Sequence, residues 1–186
     1  MINDITADAE DGMKKAVDSF KRELQKIRTG RANTSMLDGI KVDYYGTLTP
    51  LNQVANLNVP DPRLITIKPW EKSLIPAIEK AIKQRTELGL NPVADGDLVR
   101  LPIPPLTQER RKDLVKLIKS MTEDAKVQLR GLRRDANEML KSLLGDGDIT
   151  EDDNKKGLKS VQDVTDKNIA QIDDIASKKE KEILEG

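Results

Sequence analysis

The chain of 186 residues contains no cysteine and no histidine, and its aromatic residues are limited to one Phe, one Trp and two Tyr. Without cysteine, disulfides, thiolate nucleophiles and cysteine-ligated zinc sites are excluded. Without histidine, the commonest general base and the commonest transition-metal ligand are missing. No apolar run reaches the roughly 18–20 residues that span a bilayer, and the acidic, amphipathic N-terminal segment is neither a secretory signal nor a transit peptide. We therefore expect a soluble, cytoplasmic protein that is not an enzyme and needs no metal or cofactor.

Charge is abundant but balanced, with 32 lysines and arginines against 32 aspartates and glutamates. Because the chain as a whole is not a polycation, any attraction to nucleic acid must come from local clusters of basic residues. Charged residues make up 34% of the sequence. So many charges and so few aromatics suit elongated helices that share a narrow apolar seam better than they suit a large globular core.

Three long segments carry apolar residues at intervals of three and four, which is the spacing of one helix face. The first extends from Ile5 to Ile27, and Gly30, a residue suited to the position after a helix C-terminus, is expected to end it. The second follows Thr107, a candidate N-cap, and continues to the GDGD sequence at 145–148.

The third segment begins at Thr150, with Asp153 at the capping-box position, and its apolar seam includes Leu158. Isolated helices gain little stability from propensity alone, so the three seams must pack on one another. The pattern predicts an elongated three-helix bundle built from residues 1–29 and 107–186.

Residues 31–104 differ in composition from the helical segments, since short β-branched and aromatic runs alternate with prolines, as strands and their connections do. Residues 73–89 give one helix, with Pro76 tolerated in its first turn. We expect Tyr44, Tyr45 and Trp70 to belong to the core of this module. The strand candidates are IKVDYYG (40–46), LITIKPW (64–70) and DLVRLPIPPL (97–106).

The predicted fold class is therefore α+β, with a compact module inserted into a helical bundle. Two connections, residues 30–31 and 104–106, tie the module to the bundle. A double connection limits the module to swivelling about a short hinge, although the prolines at 104 and 105 could equally lock that hinge.

The second long helix sorts its charges by face when its residues are placed at intervals of 100°. Its apolar seam is centred on Leu129, Leu132 and Ala136. Asp113, Asp124, Asp135 and Glu138 lie mainly on one flank, and Glu123 is an acidic exception on the other. That other, basic flank consists of Lys112, Lys116, Lys119, Lys126, Arg130, Arg133, Arg134, Asn137 and Lys141.

Two interpretations of the basic flank stay open. It is either a solvated face with local ion pairs, each contributing about 0.2–0.5 kcal/mol, or a surface that binds phosphates through arginine forks and releases counterions. Arg28 and Arg31 either extend the same basic track or complement the helix dipole.

Gly131 lies off the flank and has no physical explanation. With few aromatics to stack on bases, a folded phosphate-rich surface fits better than a single strand.

Other functional classes are weaker. The acidic sequence DGDITEDD (146–153) resembles the opening of a calcium loop, but Glu151 occupies the position of the required glycine, so an acidic turn with an N-cap is the better interpretation. A hydrolase that uses carboxylates to hold a metal has no positive support. A non-catalytic helical module that binds other proteins, without affinity for ribosomes, is the alternative function.

Five motifs, in order along nearly the whole chain, closely resemble the ribosome recycling factor family of bacteria. They are KIRTGRAN (26–33), DGIKVDYYGTLTPL (38–51), LGLNP (88–92), PLTQERRKDL (105–114) and RRDAN (133–137). The resemblance implies a monomeric three-helix bundle with an inserted small α/β sandwich domain, L-shaped and of transfer-RNA-like dimensions.

The resemblance also implies a function. Such a factor binds the ribosome after termination across the sites that tRNA occupies, with its bundle on large-subunit rRNA near the peptidyl-transferase region. Together with elongation factor G and GTP, it separates the subunits so that mRNA and tRNA leave. The rRNA-binding residues it implies are Arg28, Arg31, Arg130 and Arg133, to which we add Lys126, Arg134 and Asn137 from the same flank. The hinge residues it implies are Gly30, Arg31, Pro104, Pro105 and Leu106.

Overall fold

A computed structural model, which describes residues 1–185 apart from the side chain of Glu87, confirms the α+β class. The elements are α1 (Ile2–Gln25), β1 (Lys41–Tyr44), β2 (Thr47–Pro50), α2 (Leu51–Val54), β3 (Ala55–Asp61), β4 (Leu64–Pro69), α3 (Ile75–Gln84), β5 (Val93–Asp95), β6 (Leu98–Pro102), α4 (Gln108–Asp146) and α5 (Glu151–Glu185). Short 3-10 turns at Thr34–Leu37, Lys72–Leu74 and Thr86–Leu88 complete the list. The chain divides into two compact units, Met1–Thr29 with Gln108–Glu185, and Gly30–Thr107.

The first unit is a three-helix bundle in which α4 and α5 are antiparallel. Lys126 of α4 pairs with Asp173 of α5, whereas Arg133, further along α4, meets Gln162, which comes earlier in α5. Each helix buries one face, as the apolar spacing predicts. The buried residues are Ala9, Met13, Ala16, Val17, Phe20 and Leu24 in α1, Leu114, Ile118, Ala125, Leu129, Ala136 and Leu140 in α4, and Gly157, Val161, Thr165, Asn168, Ile172, Ala176 and Ile183 in α5.

The start of α5 is fixed by a reciprocal cap and a close helix contact. The backbone N–H of Asp153 donates to Thr150 Oγ1 over 3.1 Å, and the Thr150 N–H and hydroxyl donate to Asp153 Oδ2 over 3.3 and 2.8 Å. This is the predicted capping box.

A Cβ on Gly157 would lie 2.9 Å from Leu140 Cδ2, so the glycine is needed where the helices approach. Gly157 therefore faces the core, and Leu158, predicted in the seam, is 37% exposed.

The predicted end of the first helix at Gly30 is wrong, because α1 already ends at Gln25. Gly30 has a φ of +77°, and a Cβ on it would lie 3.1 Å from Leu106 Cγ. Its left-handed backbone and missing side chain thus serve the contact between the two connecting segments and not a helix cap.

Both connecting segments are held by the turn between β3 and β4. The N–H of Ala32 donates to the Pro62 carbonyl over 2.6 Å, and the N–H of Ile103 donates to the Arg63 carbonyl over 2.8 Å. Since the two acceptors are consecutive residues, the chain enters and leaves the second unit at one place.

The second unit consists of a four-stranded antiparallel sheet, in the order β3-β4-β6-β5, a two-stranded β1-β2 hairpin, and α3. Ile65 pairs with Leu101 and Ile67 with Val99 across β4 and β6. All four are fully buried, and they form one core with the inner face of α3, which includes Ile78. The alternation of buried and exposed residues along β4 and β6 reflects the two-residue period of a strand.

Two of the three aromatic residues predicted in this core are at the surface. Tyr45 is 80% and Trp70 is 68% exposed, and Tyr44 packs partly against the core.

Tyr45 and Gly46 form the tight β1–β2 turn, both with positive φ, +50° and +84°, as a type I′ turn requires. Positive φ is uncommon for tyrosine. The hydroxyls of Tyr44 and Tyr45 donate to separate oxygens of Glu71, each over 2.9 Å, and this clamp holds the turn.

Within residues 1–185, no helix combines the length and the apolar character that crossing a bilayer requires.

Replacing Thr150 with alanine should lower the free energy of unfolding by about 1 kcal/mol, because the first turn of α5 loses its side-chain acceptor. The measurement is urea denaturation followed by circular dichroism. Ser160→Ala, at an exposed position inside the same helix, is the matched control and should change stability little. Equal destabilisation by both variants would contradict the role of the cap.

The hydrogen bonds to Glu71 raise the pKa of Tyr44 and of Tyr45 above the ordinary value of 10.0. A raised pKa favours the protonated phenol in the folded state, so this stabilisation is complete below pH 10 and is lost as the pH rises through the raised values. Glu71→Gln should return both titrations toward pH 10 in an absorbance titration at the tyrosinate band. Because the chain has two tyrosines, the signal is assignable. An unchanged titration would show that the clamp does not exist in solution.

Candidate nucleic-acid interface

Four of the predicted site residues lie together on α4. Arg130, Arg133, Arg134 and Asn137 line a groove of about 440 Å³, and Val127 and Gly131 complete its walls. The six buried residues of α4 fix the rotation of the helix about its axis, and the groove lies on a face that this rotation leaves outside the core. Arg134 is exposed, whereas Arg130, Arg133 and Asn137 are half-buried.

The three arginines differ in how their charge is used within the protein. Arg130 Nη2 forms an ion pair with Glu123 Oε1 over 2.5 Å. Arg133 Nη1 donates to the neutral Gln162 Oε1 over 3.2 Å, which orients the guanidinium without cancelling its charge. Arg134 makes no hydrogen bond or ion pair in the described part of the chain. The groove therefore holds at least two guanidinium groups whose charge no carboxylate neutralises, and such groups bind phosphate oxygens in pairs.

Lys126 lies outside this groove. Its Nζ is 2.6 Å from Asp173 Oδ1, and the lysine side chain is only 23% exposed. It borders a neighbouring groove between α4 and α5 that also contains the carboxylates of Glu123 and Glu180. Like Arg130, Lys126 already has a carboxylate partner, so less of its charge is available to an anion.

The predicted residues Arg28 and Arg31 are also outside the groove. Arg28 is exposed in the first unit beyond the end of α1 and has interactions of its own. Since α1 runs antiparallel to α4, with Glu23 beside Asp124, Arg28 lies toward the start of α4 and away from Arg134. Arg31 is exposed and belongs to the second unit.

The sorting of charge along α4 is visible in its two neighbouring grooves. On the side of α1, the groove is lined by Glu23 and Asp124 and by no basic residue. The groove on the opposite flank is lined by the arginines. Further along the basic flank, four exposed lysines make no ion pair in the described chain; they are Lys112, Lys116, Lys119 and Lys141. A polyanion would meet an extended basic track with the arginine groove as its most concentrated part.

Gly131 and Asn137 are two unusual members of the groove. Gly131 was expected to lie off the basic flank, but it lines the groove between Arg130 and Arg134, and a glycine inside a helix costs up to about 1 kcal/mol relative to alanine. Asn137 Oδ1 is shielded from solvent and has no hydrogen-bond donor among the described residues; a buried acceptor left without a donor generally costs about 1–3 kcal/mol. The spacing of the arginines predicted the basic flank on which the groove lies, and Gly131 already had no explanation in the sequence, but no sequence signal pointed to the shielded oxygen of Asn137.

Among the described residues, no group of three or more carboxylates is placed to hold a metal ion. The acidic sequence at 146–153 instead forms the turn before α5 and its capping box.

Comparison with known proteins is consistent along the whole chain. The family model described as "Ribosome recycling factor" matches residues 20–184. The chain is 52% identical to the ribosome-recycling factor of Myxococcus xanthus and 52% identical to that of Sorangium cellulosum, in each case over 185 residues that cover 100% of both chains.

Two solved structures are also similar. One, described as the solution structure of the ribosome recycling factor, has a TM-score of 0.77 and 44% identity and covers 100% of this chain and 98% of its own. The other has a TM-score of 0.64, 41% identity and 99% coverage of both chains. It is described as models for the T. thermophilus ribosome recycling factor and the E. coli elongation factor G bound to the E. coli post-termination complex.

Freeing Arg130 from Glu123 should strengthen binding to polyanions. In Glu123→Gln, one more guanidinium becomes available, so elution from a heparin column should require more salt. Asp135→Asn removes the same charge from the acidic flank of the same helix and should delay elution less. Stability should change by less than about 1 kcal/mol in either variant, because such exposed pairs are weak. Equal retention of the two variants would mean that net charge, and not the groove, controls binding.

Proposed function

Because the chain belongs to the ribosome recycling factor family, we propose that it separates post-termination ribosomes into subunits together with elongation factor G and GTP. Release of mRNA and tRNA follows from the separation. The factor itself makes and breaks no covalent bond; elongation factor G hydrolyses the GTP. It acts in the cytoplasm, where bacterial ribosomes work. The relative described on a post-termination complex with elongation factor G supports this choice of partners.

The observation that carries the proposal for this chain is the arginine groove on α4. Arg133 is oriented by a neutral partner and Arg134 has none in the described chain, so both charges are available to an external anion. The phosphates of large-subunit rRNA, near the peptidyl-transferase region, are the proposed ligands. Neutralising them releases counterions and makes binding strongly dependent on salt.

The proposed rRNA-binding set has a centre and a periphery. Arg130, Arg133, Arg134 and Asn137 form the centre because they share one groove. Lys126 contributes less, since Asp173 neutralises it. Arg28 and Arg31 would bind phosphates elsewhere on the same partner.

We also place a hinge at the connections between the two units. The residues assigned to it are Gly30, Arg31, Pro104, Pro105 and Leu106. The close contact of Gly30 with Leu106 and the positive φ of Gly30 support a defined pivot. Motion about it would let the inserted module, residues 31–104, respond to elongation factor G while the bundle stays on rRNA.

Arg134→Ala should weaken ribosome binding roughly tenfold, which corresponds to the loss of one charged hydrogen bond. It should also reduce the slope of log K against log salt by about 1. Arg133→Ala should behave similarly. The melting temperature should stay nearly constant for Arg134→Ala, because this side chain has no hydrogen-bond or ion-pair partner within residues 1–185 as described. The measurement is cosedimentation with ribosomes at several salt concentrations.

Arg22→Ala, an exposed arginine of α1, is the control of equal charge and should bind like the unmodified protein. Splitting of ribosomes, followed by light scattering, should require both elongation factor G and GTP and should slow in parallel with the loss of affinity. If the protein does not cosediment with ribosomes at low salt, the proposed function is contradicted. The alternative, a helical module that binds other proteins, is then favoured.

A further inference from the structure

The glycine in the groove has no explanation in the packing of the bundle. A Cβ added to Gly131 would meet no atom within 4 Å. By contrast, a Cβ on Gly12 would touch Leu132 at 3.4 Å, and one on Gly157 would collide with Leu140 at 2.9 Å. Gly157 therefore allows helices to approach closely, and a Cβ at position 12 would make an ordinary contact with its neighbouring helix. Gly131 faces open space, and alanine is the better helix former there.

The surroundings of Gly131 indicate what approaches it. The residue lies on a half-buried stretch of α4 within the arginine groove, next to Arg130 and one turn from Val127 and Arg134. A ligand centred here has guanidinium donors on two sides and an apolar contact with Val127. This combination fits a ribose–phosphate backbone, which presents anionic oxygens beside a largely apolar sugar edge.

A second, independent feature of the same groove is the Asn137 side chain. Its Oδ1 has no donor within the described residues, and it lies six residues beyond Gly131, about 9 Å along the helix axis. Ribose carries a 2′-hydroxyl that both donates and accepts, which DNA lacks. An RNA backbone that follows the groove would bring such a donor to the Asn137 side chain, and Oδ1, which is shielded from solvent in the free protein, must turn outward to accept from it.

Building on the proposed function, we propose that Gly131 is a close-approach point, where the rRNA backbone lies directly on the backbone of α4. A side chain at this position would hold the RNA away from the floor of the groove. Arg130 and Arg134 would then reach the phosphates over longer distances, and the attraction between charges falls as their separation grows. The glycine therefore strengthens binding through the space it leaves empty.

The test compares two alanine variants of the full-length protein. Gly131→Ala and Gly145→Ala make the same change in the same helix, and neither new Cβ has a neighbour within 4 Å. Gly145 does not line the arginine groove. Both variants should keep or raise the melting temperature. Ribosome affinity, measured by cosedimentation, should fall roughly tenfold for Gly131→Ala and stay within about twofold for Gly145→Ala.

A longer side chain makes the test graded. Gly131→Met should weaken ribosome binding more than Gly131→Ala, because methionine also favours a helix but fills more of the groove. Gly145→Met is its control. Loss of affinity that grows with side-chain size at 131 alone supports the inference.

Three results would overturn the inference. They are unchanged affinity in both Gly131 variants, equal losses at positions 131 and 145, and a lower melting temperature in Gly131→Ala. Each of these leaves the proposed function standing as long as the unmodified protein binds ribosomes. Failure of the unmodified protein to bind would instead remove the proposed function and, with it, this inference.

Discussion

The interaction on which the structure depends is the packing of the narrow apolar seam of α4 against α1 and α5. Leu129 and Leu140 are fully buried in it, and burying a leucine side chain contributes about 1.5–3 kcal/mol. Rotation of α4 about its axis would remove several such residues from the core at once. The seam therefore fixes which flank carries arginines and which carries carboxylates. A helix with the same composition but unsorted charges would pack equally well and offer no surface of one sign.

The arginine groove shows how stability is distributed unevenly along the bundle. Near the turn between α4 and α5, a reciprocal cap at Thr150 and close packing at Gly157 favour the folded state. In the groove, the helix contains a glycine and an amide oxygen that has no donor among the described residues. Such local costs are common where a surface is arranged for a ligand and not for the free protein. The bundle tolerates them because its seam extends over the full length of three helices.

What the sequence could reveal depends on how local each determinant is. The long helices, the capping box and the grouping of Arg130, Arg133 and Arg134 on one flank follow from the spacing of residues within one segment, and all are present in the structure. The β1–β2 turn was missed because Tyr45 adopts a positive φ with help from Glu71, twenty-six residues later. Likewise, Lys126 of α4 pairs with Asp173 of α5. The pattern of the basic flank within α4 alone therefore overestimated the free charge of that lysine. The predicted end of α1 was wrong because Gly30 does not cap the helix. Its missing side chain instead allows the close contact with Leu106 in the other connecting segment.

The anchoring of both connecting segments at Pro62 and Arg63 has a consequence for how the bundle assembles. To pack α1 on α4, the chain must close a loop of about eighty residues, which costs about 4 kcal/mol of configurational entropy if the loop is unfolded. Once the sheet has formed, its hairpin holds the two loop ends side by side, and most of that entropy has already been lost. Folding of the smaller unit thus acts as an intramolecular cross-link for the larger one, without a covalent bond.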